Sequence, residues 1–295
     1  MQNLEIKKCY EVFCCCFDYI PVCFRVFLEK LNSCRIITIT SYERLIAFAA
    51  IENNHIAVLC VHPDYQGRGY GRNLLNKCER EIFSQGYEKI ILGRNSSDFF
   101  WGALINSSSH HFFERYGYTA SNGCLNMFLY TDDFSYETFS EKYHQPEDLK
   151  LIVSRGADND KIISAVKKVE PKWAGFFYPQ KNKDILLAVL KDEIAGFMTL
   201  DYNADTIITD EESKTGLLGY VGVVPEKRNR GIGRSMVAYG TELLKRSGCT
   251  EAFINYTSLD TWYSAIGYEE YLWFWMGGKN MTRKSEWGDN DGYQV

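Results

Sequence analysis

The stretch YVGVVPEKRNRGIGRS at residues 220–235 predicts a strand that runs through a basic, glycine-containing turn into a helix. Three valines are typical of a buried strand, and Pro225 ends it because proline has no N–H to donate to a strand ladder. Apolar residues then recur at helical spacing as far as Leu244. Such a turn leaves several backbone N–H groups unpaired near one point, with the helix dipole behind them. The stretch therefore predicts a site for a phosphate or pyrophosphate group.

The glycine spacing in this turn narrows the choice of ligand. The dinucleotide fingerprint needs a third glycine where Met236 stands, and the sequence has no Gly-Lys-Ser/Thr of a P-loop. What remains is Arg-x-x-Gly-x-Gly, which resembles the acetyl-CoA pyrophosphate loop of the GCN5-related N-acetyltransferase (GNAT) superfamily. The resemblance implies acetyl-CoA (CoA) as the cofactor. It also implies contacts from Val223, Arg228, Asn229, Arg230, Gly231, Ile232, Gly233 and Arg234.

A second copy of the pattern lies at residues 58–72, where the sequence reads VLCVHPDYQGRGYGR. Two copies of strand, proline, turn and helix predict an internal duplication of a whole domain. By the same resemblance, a first cofactor loop would use Val61, Gln66, Gly67, Arg68, Gly69, Tyr70, Gly71 and Arg72. Many relatives also have a cofactor-contacting asparagine near the second motif. Asn106 stands at that position in the first copy, and Asn255 is one position out of register in the second.

The length of 295 residues suits two domains of ordinary size. The resemblance implies an α/β (α+β) fold with two tandem GNAT-like domains, each a mixed, mostly antiparallel sheet flanked by helices. We place the N-terminal domain at 1–134, a linker at 135–148, the C-terminal domain at 149–280 and a polar tail at 281–295. No clear first strand precedes Cys9, which leaves open that the first copy is truncated.

Alternating or apolar runs rich in β-branched residues predict the strands. They are Arg35–Thr40, Leu45–Ile51, Ile56–Val61, Lys89–Leu92, Leu125–Tyr130, Leu149–Arg155, Ile185–Leu190, Ile194–Leu200, Gly216–Val224, Ala252–Tyr256 and Tyr271–Met276. Between two of these strands lies the aromatic segment Phe99–Trp101, which would contact a ligand or partner or pack onto the second copy. We favour packing.

Bulk composition sets the class of protein. The net charge of −5 implies no general affinity for nucleic acid or anionic membranes. No apolar run approaches the ~20 residues of a membrane span, and the N-terminus lacks a signal-peptide pattern. The ten cysteines include no Cys-x-x-Cys pair, so we expect no metal site and mainly buried thiols in a reducing cytoplasm. A catalytic thiol or redox switch remains the alternative.

GNAT enzymes carry a second motif that ends in Tyr-x-x-x-Gly-Phe/Tyr, and the second copy matches it from Tyr263 to Tyr268. The resemblance implies that Tyr263 protonates the departing CoA thiolate. The alternative is a core tyrosine with its hydroxyl at the surface. The first copy has Phe113 at this position, and phenylalanine cannot transfer a proton. We therefore expect catalysis in the second copy, and the first copy to be non-catalytic.

The general base is harder to assign. The strand before the second loop offers Tyr220 and no acid. The amine would therefore lose its proton to Asp260, to Glu212 or without the help of a protein residue. His110 and His111 are typical of a solvated helix face.

Two functions from different classes compete. The first is an acyl-CoA-dependent N-acyltransferase that acetylates a primary amine of a small molecule or peptide. The second is a non-catalytic CoA-binding sensor or scaffold, which the lack of an evident base favours. The acidic loop Asp201–Lys214 and the negative net charge favour a cationic amine.

Overall fold

The structure is a computed structural model that describes residues 2–105, 109–154, 159–178 and 183–281. The chain forms two compact units. Unit 1 comprises Met1–Ile20, Phe27–Gly123 and Phe274–Val295, and unit 2 comprises Pro21–Val26 and Cys124–Trp273. Within the described ranges, no helix combines the length and apolar character that a membrane crossing requires.

The elements of the first half of the chain are α1 (Gln2–Cys16), α2 (Phe24–Lys30), β1 (Arg35–Ser41), β2 (Arg44–Glu52), β3 (His55–Val61), α3 (Tyr70–Ser84), β4 (Lys89–Leu92), β5 (Ala103–Leu104), α4 (Ser109–Arg115) and β6 (Thr119–Tyr130). Those of the second half are α5 (Tyr136–Lys142), β7 (Leu149–Ser154), α6 (Asn159–Val169), β8 (Lys183–Leu190), β9 (Glu193–Asp201), β10 (Thr215–Val223), α7 (Ile232–Arg246), β11 (Glu251–Thr257), α8 (Asp260–Ser264) and β12 (Glu269–Asn280). Short 3₁₀ helices occur at Pro63–Tyr65, Thr131–Asp133, Pro171–Phe177 and Pro225–Lys227.

The sheet of unit 1 begins with the antiparallel strands β1, β2 and β3, and β3 then pairs in parallel with β4. The far edge of β4 is completed by the last residues of β12, where Ile91 faces Gly278. Alternate residues of β2 pack with α3, while Phe48 contacts Phe27 on the other face. Because helices cover both faces, β2 is an almost continuous apolar run rather than an alternating one.

The sheet of unit 2 contains β7, β8, β9 and β10 in antiparallel order, and β10 then pairs in parallel with β11. The second edge of β11 is occupied by the antiparallel strand β6. α7 buries Met236, Val237 and Leu244 in one apolar cluster. α6 contributes Ile162 and Val166 to another, which also contains Phe197 of β9.

The mixed, mostly antiparallel sheets flanked by helices confirm the predicted fold class. Most predicted strands are present within a few residues of their expected bounds, although β6 begins at Thr119 and β12 continues to Asn280. Between Gln2 and Lys30 the structure has helices and no strand, which agrees with the lack of a clear first strand before Cys9 in the sequence.

Each unit contains one strand that the duplicated sequence assigns to the other copy. Residues 124–130 of β6 belong to unit 2, and residues 274–280 of β12 belong to unit 1. The predicted domains 1–134 and 149–280 follow the order of the duplicated sequence and stay a prediction. Packing instead divides the chain after Gly123 and after Trp273.

A buried ion pair holds the exchanged strand β12 in unit 1. Nζ of Lys279 lies 3.2 Å from Oε1 and 3.3 Å from Oε2 of Glu79 on α3. The two side chains are only 10% and 7% exposed. The hydroxyl of Tyr118 donates a 3.1 Å hydrogen bond to the same carboxylate. The carboxylate is therefore desolvated but supplied with a cation and a donor, as a buried charge requires.

Candidate active site

The loop between β10 and α7 has a backbone that few residue types can adopt. After the 3₁₀ turn Pro225–Lys227, Asn229 has φ of +60° and Gly231 has φ of +79°. Asparagine tolerates the left-handed region better than most residues, and glycine enters it without a Cβ penalty. Gly231 is the N-cap of α7, so the loop delivers the chain directly into the first helical turn.

The loop between β3 and α3 repeats this backbone position by position. It has the 3₁₀ turn Pro63–Tyr65, then Gly67 with φ of +72° and Gly69 with φ of +85° as the N-cap of a helix. Both following helices contain 15 residues. The repeat that the sequence indicated is thus also a repeat of backbone conformation.

Both loops present a row of backbone N–H groups. Among the described residues, no hydrogen bond is donated by the amides of 229–234 or of 67–72. A side chain caps the preceding strand instead: Arg228 Nε donates to the carbonyl of Val223 at 3.0 Å, and Gln66 Nε2 donates to that of Val61 at 2.9 Å. The amides remain available to an anionic ligand at a helix N-terminus.

A cleft opens beside the loop of unit 2. β10 and β11 are paired only where Thr215–Leu217 faces Glu251–Phe253, and they are not paired beyond those residues. The register of β10 with β9 shifts between Gly219 and Gly222. Tyr220 at this bulge has φ of +53°. The second half of β10 therefore presents backbone polar groups without a parallel partner strand beside them.

Tyr263 lies next to the cofactor loop through its neighbour Trp262. A Cβ placed on Gly233 would lie 3.2 Å from the Trp262 ring and 3.4 Å from Val223, so these groups are in contact around the glycine. The Tyr263 ring meets Trp262 edge to face at 4.7 Å and Tyr268 at 5.9 Å. The structure thus brings the first turn of α7 and the predicted acid on α8 together.

The environment of Tyr263 keeps its phenol protonated. The residue is 6% exposed, and burial raises the pKa of its phenol above the usual range, so it keeps its proton at neutral pH. Its hydroxyl oxygen forms no hydrogen bond with the described residues. The same oxygen is not fully enclosed by protein atoms, so it retains access to solvent. A buried ring with a reachable hydroxyl matches the alternative of a core tyrosine, and the role of Tyr263 as the acid stays a prediction.

Unit 1 has the same framework without the acid. Phe112 takes the place of Trp262, because a Cβ on Gly71 would lie 3.2 Å from its ring. Phe113 is buried at the position of Tyr263. The tyrosines at the ends of the two motifs make equivalent contacts with the helix after each loop. The hydroxyl of Tyr118 donates to the carboxylate of Glu79 on α3, and the hydroxyl of Tyr268 lies 2.8 Å from that of Thr241 on α7.

The space between β3 and β4 in unit 1 is largely filled. Phe17 and Phe100 line a cavity of only about 50 Å³ there. Phe99 and Phe100 are buried, and their rings contact Phe13 of α1 at 5.6 and 6.2 Å. The aromatic segment therefore packs as favoured, but only in part onto the second copy: Phe100 lies 5.9 Å from Phe274 of β12, whereas Phe13 belongs to α1 in the first half of the chain.

The remaining predicted cofactor residues are placed as follows. Asn255 lies on β11, where its backbone and side-chain oxygens accept hydrogen bonds from Asn126 Nδ2. Arg230 is exposed, whereas the guanidinium of Arg234 lies 5.8 Å from the ring centroid of Tyr143. Asn106 lies outside the described residues.

The acidic loop Asp201–Lys214 lies at the wrong end of the sheet for catalysis. Lys214 bonds to Thr250, at the end where β10 and β11 begin. The loop before α7 follows the other end of β10, which has nine residues, and the eight rises between its ends, at ~3.3 Å each, put about 26 Å between the two loops. Residues 206–209 of the loop are also buried. Glu212 is therefore not a candidate base, and the loop no longer supports a cationic acceptor.

Two features of the site escaped the sequence interpretation, namely the strand-capping role of Arg228 and the contact of Trp262 with Gly233. Aligning the two copies would have shown the second, since both carry an aromatic residue directly before the acid position.

Family models match both copies. The model described as "Acetyltransferase (GNAT) domain" matches residues 32–120, and the model described as "Acetyltransferase (GNAT) family" matches residues 131–268. The chain belongs to the GNAT superfamily and carries two GNAT domains in tandem. No curated protein matches it.

Solved structures show the same fold at low identity. A glucosamine N-acetyltransferase region of a fungal multi-domain β-N-acetylglucosaminidase matches with a TM-score of 0.75 and 20% identity, covering 93% of this chain but 37% of that chain. A GCN5-related N-acetyltransferase from Sphaerobacter thermophilus has a TM-score of 0.69 and 17% identity, with 94% and 93% coverage. A tandem GNAT protein from the clavulanic acid biosynthesis pathway has a TM-score of 0.63 and 14% identity, covering 93% of this chain and 94% of that one.

Proposed function

We propose that the protein transfers an acetyl group from acetyl-CoA to a primary amine, and that the reaction takes place in unit 2. The observation that carries this proposal is the row of six amides at 229–234 without hydrogen-bond acceptors, at the N-terminus of α7. This is the donor set that a pyrophosphate group needs. Arg230 is exposed beside it and adds positive charge.

The residues of unit 2 fit the cofactor. When bound, acetyl-CoA supplies the acetyl group as a thioester that an amine can attack. The loop amides would hold its pyrophosphate, and the unpaired second half of β10 offers backbone groups to the remainder of the molecule. Tyr263 would hold a proton at its phenol oxygen for the leaving sulfur, and its raised pKa keeps that proton in place at neutral pH.

The amine must reach the site as a free base. β10 contributes no carboxylate, because its sequence is TGLLGYVGV. Asp260, the first residue of α8, is the remaining carboxylate among the base candidates and lies three residues before Tyr263. We propose that either Asp260 or bulk water accepts the proton. The lack of an acid on β10 also supports the second candidate function, a CoA-binding protein without turnover.

The experiment combines binding and turnover. Calorimetric titration with acetyl-CoA would compare the parent with Arg230→Glu, in the loop before α7, and with Arg246→Gln, a control at the distant end of α7. Reversing a charge beside a pyrophosphate should weaken binding at least about tenfold, or ~1.4 kcal/mol, while the control binds like the parent. Gly231 is unsuitable for this test, because a Cβ there would lie 2.8 Å from the carbonyl of His144.

Release of CoA thiol with a panel of amines would then measure turnover. The panel includes glucosamine, because the fungal region is named for that activity. Binding with amine-dependent thiol release supports the proposed function. Binding without release for every amine supports the non-catalytic candidate, and equal binding by Arg230→Glu and the parent would remove the loop from the cofactor site.

A further inference from the structure

Three metal-binding side chains meet on α4 of unit 1. His110, His111 and Glu114 each offer a ligand atom, and these atoms all lie within 4.8 Å of one another. The sequence predicted no metal, because its cysteines lack metal-site spacing and adjacent histidines are typical of a solvated face. Neither the cofactor loop nor the acid position uses these three residues.

The geometry of the cluster follows from helical spacing. His110 and Glu114 are separated by four residues and His111 and Glu114 by three, so all three side chains can reach one side of the helix. Nδ1 of His111 lies 2.8 Å from Oε2 of Glu114. The two imidazole centroids are 3.9 Å apart, with the rings tilted by 39°. One ligand atom of each residue therefore lies within the same small volume.

The state of His110 provides a second observation. Its Nδ1 atom is enclosed yet has no hydrogen-bond partner. Burying a polar atom without a partner is energetically unfavourable, so few such atoms are found in native proteins. A cation bound within the cluster would remove this cost if it accepted the lone pair of His110 Nδ1. The ring packs near Trp275, at a centroid distance of 6.4 Å.

We propose that His110, His111 and Glu114 bind one divalent late transition-metal ion of the zinc, cobalt or nickel class. Two imidazoles and one carboxylate are ligands that such ions prefer, whereas magnesium and calcium take mainly oxygen ligands. His111 and Glu114 keep 59% and 45% of their side chains exposed, so water completes the coordination. The site is independent of the proposed acetyl transfer.

The ion would act on the stability of α4. This helix has seven residues, which is too short to be stable in water by itself. Three ligands spread over its length would tie successive turns together. Because the ion binds only the folded helix, it stabilises that helix in proportion to the logarithm of its concentration above the dissociation constant.

The test is titration of the metal-free full chain with Co²⁺ alone, followed by absorption spectroscopy. Cobalt distinguishes its ligands, since thiolate ligands add an intense near-ultraviolet charge-transfer band that imidazole and carboxylate do not. This matters because Cys15 is exposed. The parent would be compared with His111→Gln and Glu114→Gln, and with Arg115→Gln as an exposed control on the same helix. All three substitutions lie at exposed positions and should leave the fold intact.

We expect one ion per chain without a thiolate band. Both ligand variants should bind at least about tenfold more weakly, and Arg115→Gln should bind as tightly as the parent. Three outcomes would overturn the proposal: absence of binding to the parent, a thiolate band in every variant, or equal affinity in the parent and His111→Gln.

Discussion

Replacing Lys279 with methionine should destabilise unit 1 strongly. The substitution keeps an unbranched side chain that is one atom shorter, but it leaves the carboxylate of Glu79 buried without its lysine partner. Both carboxylate oxygens lie within 3.3 Å of the ammonium nitrogen, and the carboxylate side chain is 7% exposed. Breaking one side of a buried ion pair costs about 3–5 kcal/mol, because the remaining charge loses its counter-ion in a poorly hydrated place.

The measurement is chemical denaturation followed by circular dichroism, on the parent, Lys279→Met, Glu79→Gln and the double variant. The double variant removes both charges, so it should recover a large part of the loss from Lys279→Met. Arg246→Met provides a control, because Arg246 is 64% exposed and pairs with Glu242 on the same helix. That surface pair should be worth at most about 1 kcal/mol.

Hydrogen exchange would locate the effect. Loss of the pair should increase exchange at β4 and at residues 274–280, because β12 is joined to α3 by this interaction. A cost below about 1 kcal/mol for Lys279→Met, or strictly additive effects in the double variant, would refute the reasoning about a desolvated pair.

Three further predictions concern the site and the titratable groups. Tyr263→Phe should reduce turnover about 10²–10⁴-fold while acetyl-CoA affinity stays constant, and unchanged turnover in a chemistry-limited assay would exclude the phenol as acid. Titration of acetyl-CoA should show one tight site per chain, with the unit 1 loop binding weakly at most because its cleft leaves about 50 Å³, and two equally tight sites would contradict this. Burial raises the pKa of Cys9 and Cys78 to about 12. Above pH ~8.5 the unfolded chain releases thiol protons that the folded chain still holds, so the free energy of unfolding should fall as the pH rises above this value. Denaturation at pH 8 and at pH 10 checks the sign, and equal stability at both values would contradict it.

The loops could be predicted from the sequence because local residues determine them. Pro225 must end a strand, and glycine at 231 is nearly required by a left-handed backbone. The position of Tyr263 beside the loop followed from the family resemblance, and the contact of Trp262 with Gly233 gives it a physical basis.

Features that depend on distant residues could not be predicted. Glu79 and Lys279 are 200 residues apart, and no local pattern indicates that they meet. The error over Glu212 has the same origin, because only the parallel register of β10 and β11 shows which end of the sheet holds the acidic loop. Likewise, the aromatic residues that fill the cleft of unit 1 could not be distinguished by sequence from ligand-binding ones.

The exchange of strands has a consequence for synthesis on the ribosome. A nascent chain that has emerged as far as residue 145 carries β6 without β11 and exposes the edge of β4 that β12 later covers. Unpaired edges of this kind invite pairing with other chains, so we expect the nascent chain to aggregate more readily than the finished chain. For the same reason, a gene fragment that encodes either copy alone would not give a closed sheet. A duplication that exchanged strands in this way can no longer be divided into two independent genes.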